Sequence, residues 1–171
     1  PNLIALNVIP QIGEFQTMDF TVEELKTERE SRKILHDANI KISSTTVRVP
    51  VDVGHSAAVY IETKEPLEPE EARDILAEMP GLRVVDNPEN GVYPMPIDAK
   101  GKNEVLVGRI RRAFANENAL WLWVVADNLR KGAALNTVQI GEELVRRDLL
   151  RRTRELKPEE RWEKDELRLR F

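Results

Sequence analysis

The segment ALWLWVVA at residues 119 to 126 constrains the fold more than any other feature, because it is apolar at every position. Side chains of a strand alternate between the two faces of a sheet, so this strand needs cover on both faces. It follows the strand-like residues 103 to 111 after a short polar link. We therefore predict an antiparallel hairpin whose second strand is central in a sheet or covered by another subunit. Trp121 and Trp123 share one face and should pack at a core or subunit interface.

Other segments predict the rest of the sheet and the helices packed on it. Thr21 and Glu24 have the spacing of a capping box, which predicts a helix from Thr21 to about residue 38. Gly81 ends a second helix, and a third follows Asn128 through the residues GAALNTVQIGEELV. Segments rich in β-branched and apolar residues predict three more strands, at residues 40–49, 55–63 and 82–85. This order predicts an α+β fold, a mixed β-sheet with helices packed on it.

Composition narrows the classes of function. With 171 residues, 41% of them hydrophobic and 33% charged, the chain suits one ordinary soluble domain. Its net charge of −4 argues against nucleic acid as a partner. Apolar runs fall short of the roughly 18 residues that predict a membrane span, and the N-terminus lacks the pattern of a secretory signal. We therefore expect a cytoplasmic protein with no membrane partner. Because the sequence begins with Pro1, we expect a processed product or a piece of a longer protein.

The chain has no cysteine, which excludes disulfides, thiolate metal sites and a cysteine nucleophile from these residues. It has two histidines, too few for an ordinary histidine metal site, and we predict no metal. A glycine-rich phosphate loop is missing, so we expect this chain not to hold a dinucleotide by itself. From Arg146 to Phe171, basic residues outnumber acidic ones by 10 to 7, which is typical of a solvated helix end and, less often, of a phosphate-binding surface.

Two pairs of residues could carry chemistry. The bend at residues 50–54 can bring His55 and Arg48 toward one rim, where the arginine would capture a carboxylate or phosphate and the histidine would transfer a proton. The alternative is an arginine paired with a surface acid and a capping histidine. Glu23 and Lys26 could meet the two charges of one zwitterionic ligand, or form an ordinary ion pair on a helix surface. Spacing alone favours the structural alternative for both pairs.

Five blocks of sequence carry a resemblance to a known family. They are NVIPQIG (7–13), TVEELKTERESRKIL (21–35), TTVRVPVDVGHS (45–56), VGRIR (107–111) and DNLRKGAALNTVQIGEEL (127–144). Together they resemble the C-terminal half of bacterial aspartate-β-semialdehyde dehydrogenase. The resemblance implies a C-terminal domain of the glyceraldehyde-3-phosphate-dehydrogenase-like class and a homodimer formed through its sheet. It makes residues 1–146 a partial catalytic and dimerisation domain, and residues 147–171 a charged, partly helical tail.

The family that the chain resembles reduces β-aspartyl phosphate with NADPH to aspartate semialdehyde and phosphate, through a cysteine acyl-enzyme. This step leads toward lysine, methionine and threonine. The resemblance implies that His55, in the motif R-V-P-V-x-x-G-H, is the acid/base residue and that Arg48 binds the substrate α-carboxylate. In the E-x-x-K of EELK, it implies that Glu23 binds the substrate amino group and Lys26 its phosphate. Asn128 would lie beside the cofactor, NADP.

The N-terminal NADP-binding domain of that family and its cysteine are absent from residues 1–171. The resemblance therefore implies a chain that is inactive alone, a fragment or one chain of a split enzyme, with a complementary chain that carries the NADP domain and the cysteine. Apolar residues at 3–9 and 135–144 should then be exposed unless another chain covers them. The alternative is a non-catalytic dimerisation or regulatory module derived from the family.

Overall fold

The computed structural model describes residues 2–149. Contacts within the chain divide it into two compact units, Pro1–Asp52 and Val53–Phe171. From residue 150 onward, the tail predicted at residues 147–171 lies outside the described part of the chain. No helix within residues 2–149 has both the length and the apolar character needed to cross a membrane.

The first unit contains helix α1 (Val22–Leu35), which begins where the capping box predicts. Thr21 N donates to Glu24 Oε2 at 2.8 Å, and Thr21 Oγ1 accepts from Glu24 N at 3.5 Å. The helix ends three residues before the predicted residue 38, because His36 adopts a left-handed conformation with a φ of 53°. A short 3-10 turn, Thr17–Asp19, precedes α1.

The strand predicted at residues 40–49 is wrong. All ten of these residues are described, and they join no sheet; Arg48 forms an isolated antiparallel bridge with Ile9. Arg48 N donates to Ile9 O at 2.8 Å, and Ile9 N donates to Arg48 O at 3.0 Å. β-Branched residues favour extended backbone, but a strand also needs a partner along its length. The extended segment that contains Ile9 supplies that partner at one position.

The second unit is built on a four-stranded mixed sheet. Its strands are β1 (His55–Glu62), β2 (Leu82–Val84), β3 (Val105–Arg112) and β4 (Ala119–Ala126). Their order is β1-β4-β3-β2, with antiparallel pairs except between β2 and β3. Both the hairpin of β3 and β4 and the central place of β4 are therefore confirmed, as are the strands predicted at 55–63 and 82–85.

In its described part, residues 53–149, the second unit also contains three helices and two irregular turns. The helices are α2 (Pro69–Ala77), α3 (Pro96–Ala99) and α4 (Leu135–Arg146). A 3-10 turn, Pro88–Asn90, lies in the loop before α3, and a π-helical turn, Arg130–Ala134, leads into α4. With the sheet, these elements confirm the predicted α+β class.

Both faces of β4 are covered, as its apolar sequence requires. On one face, Leu120 packs with Val107 and Ile110 of β3 and with Ala72 of α2. On the opposite face, Val125 packs with Leu106 of β3 and Ala99 of α3, both fully buried, and with Trp123. The core of the unit thus lies on both sides of the sheet.

A bulge interrupts β3 between Gly108 and Arg111, where the pairing with β4 shifts register. Arg109 in the bulge has a φ of 55°, which turns consecutive amides to the same side. Asp86 Oδ1 accepts from Arg109 N at 2.8 Å, and Asp86 Oδ2 accepts from Ile110 N at 3.1 Å. Arg73 of α2 then donates from Nε to Asp86 Oδ2 at 2.8 Å. The carboxylate of Asp86 therefore ties the bulge to the helix.

Apolar side chains are exposed at both places where the sequence predicts it. Near the N-terminus, Leu3 is 76% exposed and Leu6 fully so. Along α4, Val138 and Ile140 are 57% and 62% exposed. This part of the prediction is confirmed, and the outer face of α4 has no cover from residues 2–149.

Candidate functional site

The first turn of α1 carries Glu23 and Lys26, and the structure brings their charges together. Lys26 Nζ lies 3.6 Å from Glu23 Oε1, and the two side chains are 51% and 42% exposed. At this exposure, the pair is worth only about 0.2–0.5 kcal/mol. Both charges are therefore available to a ligand that offers each of them a better partner.

Glu24 connects this turn to the segment that contains Arg48. In addition to the capping box, Glu24 Oε1 accepts from Thr46 N at 2.9 Å. The amides of Thr21 and Thr46 hold the pKa of the Glu24 carboxyl below its ordinary value. The sequence predicts the contact with Thr21, but the contact with Thr46 lies 22 positions away and has no local signal. Glu24 thus ties the backbone at the start of α1 to the backbone two residues before Arg48.

Arg48 lies two residues after Thr46, where its backbone forms the bridge with Ile9. Among the residues that the structure describes in this unit, no side chain pairs with its guanidinium, and the residue is exposed. A free guanidinium next to a hydrogen-bonded backbone can bind a carboxylate or phosphate through two parallel hydrogen bonds. In the described residues of this unit, Arg48 therefore does not form the surface ion pair that was its alternative explanation.

His55 is the first residue of β1 in the second unit, and its side chain is exposed. Its register partner is Ala126 at the end of β4. The preceding Gly54 has a φ of +104°, and a Cβ there would lie 3.3 Å from Ala126 O and 3.4 Å from Pro96 Cβ. Glycine is favoured at this position by its backbone conformation, and the close neighbours leave little space for a side chain. The bend that the sequence predicts before His55 is a close-packed one.

Asn128 lies in the turn that follows β4, and it contacts this bend directly. Gly54 N donates to Asn128 Oδ1 at 3.1 Å. The neighbouring Asp127 is buried, and its carboxylate accepts from Gly101 N at 2.8 Å and from Leu129 N at 2.9 Å. The Gly101 amide, more than any other group, holds the pKa of Asp127 below its ordinary value. Asn128 therefore lies in a turn that these hydrogen bonds hold in place.

The structure thus joins the predicted site residues in two separate groups. Glu23 and Lys26 pair in the first unit, and His55 and Asn128 meet through Gly54 in the second. That a bend brings Arg48 and His55 toward one rim stays a prediction, since they belong to different units. Sequence reasoning missed Gly54 and Asp127 as site residues. A glycine directly before a histidine was the available signal for the first, and an aspartate beside Asn128 was the signal for the second.

Comparison with known proteins identifies the family. The family model described as "Semialdehyde dehydrogenase, dimerisation domain" matches residues 2–131. The chain belongs to this family. Among curated relatives of this semialdehyde dehydrogenase dimerisation domain, the aspartate-semialdehyde dehydrogenase of Aquifex aeolicus is 53% identical over 150 residues, which are 88% of this chain and 44% of the relative. That of Bacillus subtilis is 47% identical over 148 residues, 86% of this chain and 43% of the relative.

A solved structure gives the same result for the fold. The aspartate semialdehyde dehydrogenase II of Vibrio cholerae, crystallised in complex with ASA, superposes with a TM-score of 0.80 at 45% identity. The match covers 84% of this chain and 42% of that one. This semialdehyde dehydrogenase dimerisation domain therefore spans less than half the length of these relatives. Its predicted resemblance to the C-terminal half of aspartate-semialdehyde dehydrogenase is confirmed.

Proposed function

We propose that this chain is the substrate-binding and dimerisation half of an NADP-dependent aspartate-semialdehyde dehydrogenase. The proposed reaction is the reductive dephosphorylation of β-aspartyl phosphate, a step toward lysine, methionine and threonine. The observation that carries the proposal is the hydrogen bond from Gly54 N to Asn128 Oδ1. Across 74 positions of sequence, it joins the backbone before the proposed acid/base residue, His55, to the proposed cofactor-side residue.

In this proposal, Glu23 binds the substrate ammonium group and Lys26 binds its phosphate. Their mutual distance of 3.6 Å and their half-exposed side chains support exchange of partners. A substrate with an ammonium group and a phosphate supplies each residue with an opposite charge, so the exposed pair can separate at little cost. Binding therefore converts a weak ion pair into two contacts with the ligand.

Arg48 binds the substrate α-carboxylate in this proposal. Its backbone is fixed by the bridge with Ile9 and, two residues earlier, by the contact between Thr46 N and Glu24. A planar guanidinium on a fixed backbone selects a carboxylate by geometry as well as by charge. Replacement by lysine would keep the charge but lose the paired hydrogen bonds.

His55 moves the proton in this proposal. Its exposed imidazole stands at the start of β1, on a backbone held by Gly54, where a substrate can reach it. Histidine is the side chain best suited to give and take a proton near neutral pH. The exposed position and fixed backbone together fit an acid/base residue better than a capping one.

Asn128 is the residue of this chain that would hold the cofactor. Its Oδ1 is engaged by Gly54, while its Nδ2 donates to no residue between 2 and 149. A free amide donor beside His55 fits a polar oxygen of a nicotinamide cofactor. NADP, when bound, would exchange a hydride with the substrate carbon. The thiolate that forms the acyl-enzyme must come from polypeptide outside residues 1–171, because these contain no cysteine.

We also propose a homodimer, which the description of the family as a dimerisation domain supports. Tyr60 of β1 is 39% exposed, and its ring meets Trp121 edge to face at 5.2 Å. The guanidinium of Arg111 lies 5.9 Å from the centre of the Trp121 ring. Aromatic and arginine side chains are the ones enriched at protein interfaces. A two-fold contact would place this patch against its own copy.

The test is to complete the enzyme. Residues 1–171 are co-expressed with the part of the Aquifex aeolicus enzyme that the chain does not match, and the complex is verified by intact mass and size-exclusion chromatography. We expect phosphate-dependent reduction of NADP with aspartate semialdehyde in the complex, and none with residues 1–171 alone. His55→Gln should lower kcat by about 10²- to 10⁴-fold.

The matched control is His36→Asn, because asparagine tolerates the left-handed conformation of the other histidine in the sequence. It should leave kcat within twofold of the unaltered complex. A verified complex without turnover would refute the proposal. Full activity in His55→Gln would remove His55 as the acid/base residue, whereas a complex that assembles without turnover would favour the alternative, a non-catalytic dimerisation or regulatory module.

A further inference from the structure

The bend before β1 raises the question of what holds the imidazole of His55 in place. The residue is exposed, so the position of its side chain depends on the backbone at residues 54 and 55 more than on packing. We propose that Asn128 is a positioning residue, which fixes His55 by accepting the Gly54 amide hydrogen. This inference rests on the proposed function, because it assigns a second task to a residue proposed to face the cofactor.

The first support is the geometry of Gly54. Its amide hydrogen has Asn128 Oδ1 as its acceptor at 3.1 Å, and its φ of +104° places the next residue off the course of an ordinary strand. A Cβ at this position would lie 3.3 Å from Ala126 O and 3.4 Å from Pro96 Cβ, so the bend is closely packed on these sides. These two neighbours block the sides of the bend, but neither pairs with the amide. Asn128 therefore supplies the hydrogen bond that completes the bend.

The second support is the rigidity of the turn that presents Asn128. The buried carboxylate of Asp127 accepts from Gly101 N and Leu129 N, and its backbone carbonyl accepts from Arg130 N at 3.1 Å and Lys131 N at 2.8 Å. Four hydrogen bonds to one residue hold the turn from both sides. Asn128 is thus a fixed acceptor, whereas the same side chain on a loose loop would follow the motion of Gly54.

The third support is the position of His55 at the very end of the pairing between β1 and β4. Its register partner, Ala126, is the last residue of β4, so the ladder does not continue past it. Terminal pairs of a ladder open most readily. Without the Asn128 contact, the Gly54 amide would lose its partner at this end, and His55 would gain freedom to turn away.

The two polar atoms of the Asn128 side chain allow its two proposed roles to be tested separately: Oδ1 accepts from Gly54 N, and Nδ2 would face the cofactor. Asn128→Asp keeps an oxygen that can accept from Gly54 N but removes the amide donor that would face the cofactor. Asn128→Ala removes both. The positioning role therefore predicts that the aspartate variant preserves the orientation of His55 while the alanine variant does not.

The first arm of the test uses the full chain of 171 residues in solution. Amide nitrogen relaxation should give Gly54 and His55 order parameters near about 0.85 in the unaltered chain and in Asn128→Asp, and below about 0.6 in Asn128→Ala. The amide of His36 is the internal reference and should not change. Equal order at His55 in all three proteins would overturn the proposal. If Asn128→Ala fails to fold, loosening of His55 in Asn128→Asp overturns the proposal and unchanged order supports it.

The second arm uses the completed complex described above. Asn128→Ala should lower kcat by up to about 100-fold, the loss expected from a displaced catalytic group, while the KM for aspartate semialdehyde changes less than threefold. Asn128→Asp should recover most of kcat but raise the KM for NADP. Equal loss of kcat in both variants would overturn the positioning role. Should the unaltered complex prove inactive, the proposed function fails, and the relaxation experiment still decides whether Asn128 holds His55.

Discussion

Asp86→Ala should unfold the sheet more readily than any change at the candidate functional residues, because Asp86 holds the bulge of β3. Its carboxylate accepts from Arg109 N, Ile110 N and Arg73 Nε, at 2.8, 3.1 and 2.8 Å. Alanine offers none of these acceptors. The variant leaves two backbone N–H groups and one guanidinium without this acceptor.

The size of the effect follows from burial. The side chain of Asp86 is 1% exposed, and that of Arg73 is 26% exposed. Removing one member of a buried ion pair costs about 3–5 kcal/mol. Arg73 keeps its contact with Ile110 O at 2.8 Å and reaches some solvent, which places the expected loss in the lower half of that range. Since domains are stable by about 5–15 kcal/mol, this loss is a large fraction of the total.

The control and the assay come from the same cluster. Glu70 contacts Arg73 at 3.0 Å, but its side chain is 80% exposed, so Glu70→Gln should cost less than about 1 kcal/mol. Urea unfolding is followed by tryptophan fluorescence, because Trp121 and Trp123 pair with the residues at the two ends of the bulge. If Asp86→Ala and Glu70→Gln lower the free energy of unfolding equally, the bulge does not depend on Asp86.

Two further predictions use the same unfolding assay. In Gly108→Ala, the new Cβ would lie 2.2 Å from Val85 O, so we expect the free energy of unfolding to fall by at least about 1–3 kcal/mol. The control is Gly141→Ala in α4, where a Cβ would have no neighbour within 4 Å beyond the adjoining residues and backbone of its own helix, and it should stabilise by up to about 1 kcal/mol. Equal destabilisation by the two substitutions would contradict this interpretation. Glu24→Gln should make the stability of the fold less sensitive to acid. The Thr21 and Thr46 amides lower the pKa of Glu24 from 4.5, so its carboxylate stabilises the fold above that pH and ceases to do so as pH falls through the folded-state pKa. The unfolding midpoint should fall less steeply with acid in the variant, and parallel profiles would rule this out.

The elements that the sequence predicts correctly are those whose signal is local. An unbroken apolar run places β4 at the centre of the sheet, because such a strand is stable only with cover on both faces. Thr21 and Glu24 mark the start of α1 because a capping box is closed within one turn. The end of α1 is less predictable. His36 ends the helix in a conformation that several residue types can adopt, and Asn39 carries the stronger sequence signal.

The features that escaped prediction depend on partners far away in sequence. Residues 40–49 have the composition of a strand, but strand formation depends on a neighbour, and Ile9 offers it one bridge. The contact of Glu24 with Thr46 spans 22 positions, and that of Gly54 with Asn128 spans 74. Neither contact leaves a periodic pattern in the sequence. The proposed roles of His55 and Arg48 rest on family resemblance, since their spacing alone favours an ordinary structural explanation.

In both units, an exposed candidate residue stands next to one whose backbone or side chain is fixed. Glu23 forms a half-exposed ion pair with Lys26 on the surface of α1, while Glu24 is held by two amides. His55 is exposed, while Gly54 is packed and hydrogen-bonded. Neighbouring positions on a helix or strand point in different directions, so one residue can anchor the backbone while the next faces solvent. A ligand-binding group needs both properties, freedom to meet the ligand and a fixed origin. Substitution of the anchoring neighbours should therefore change the geometry of the candidate residues beside them.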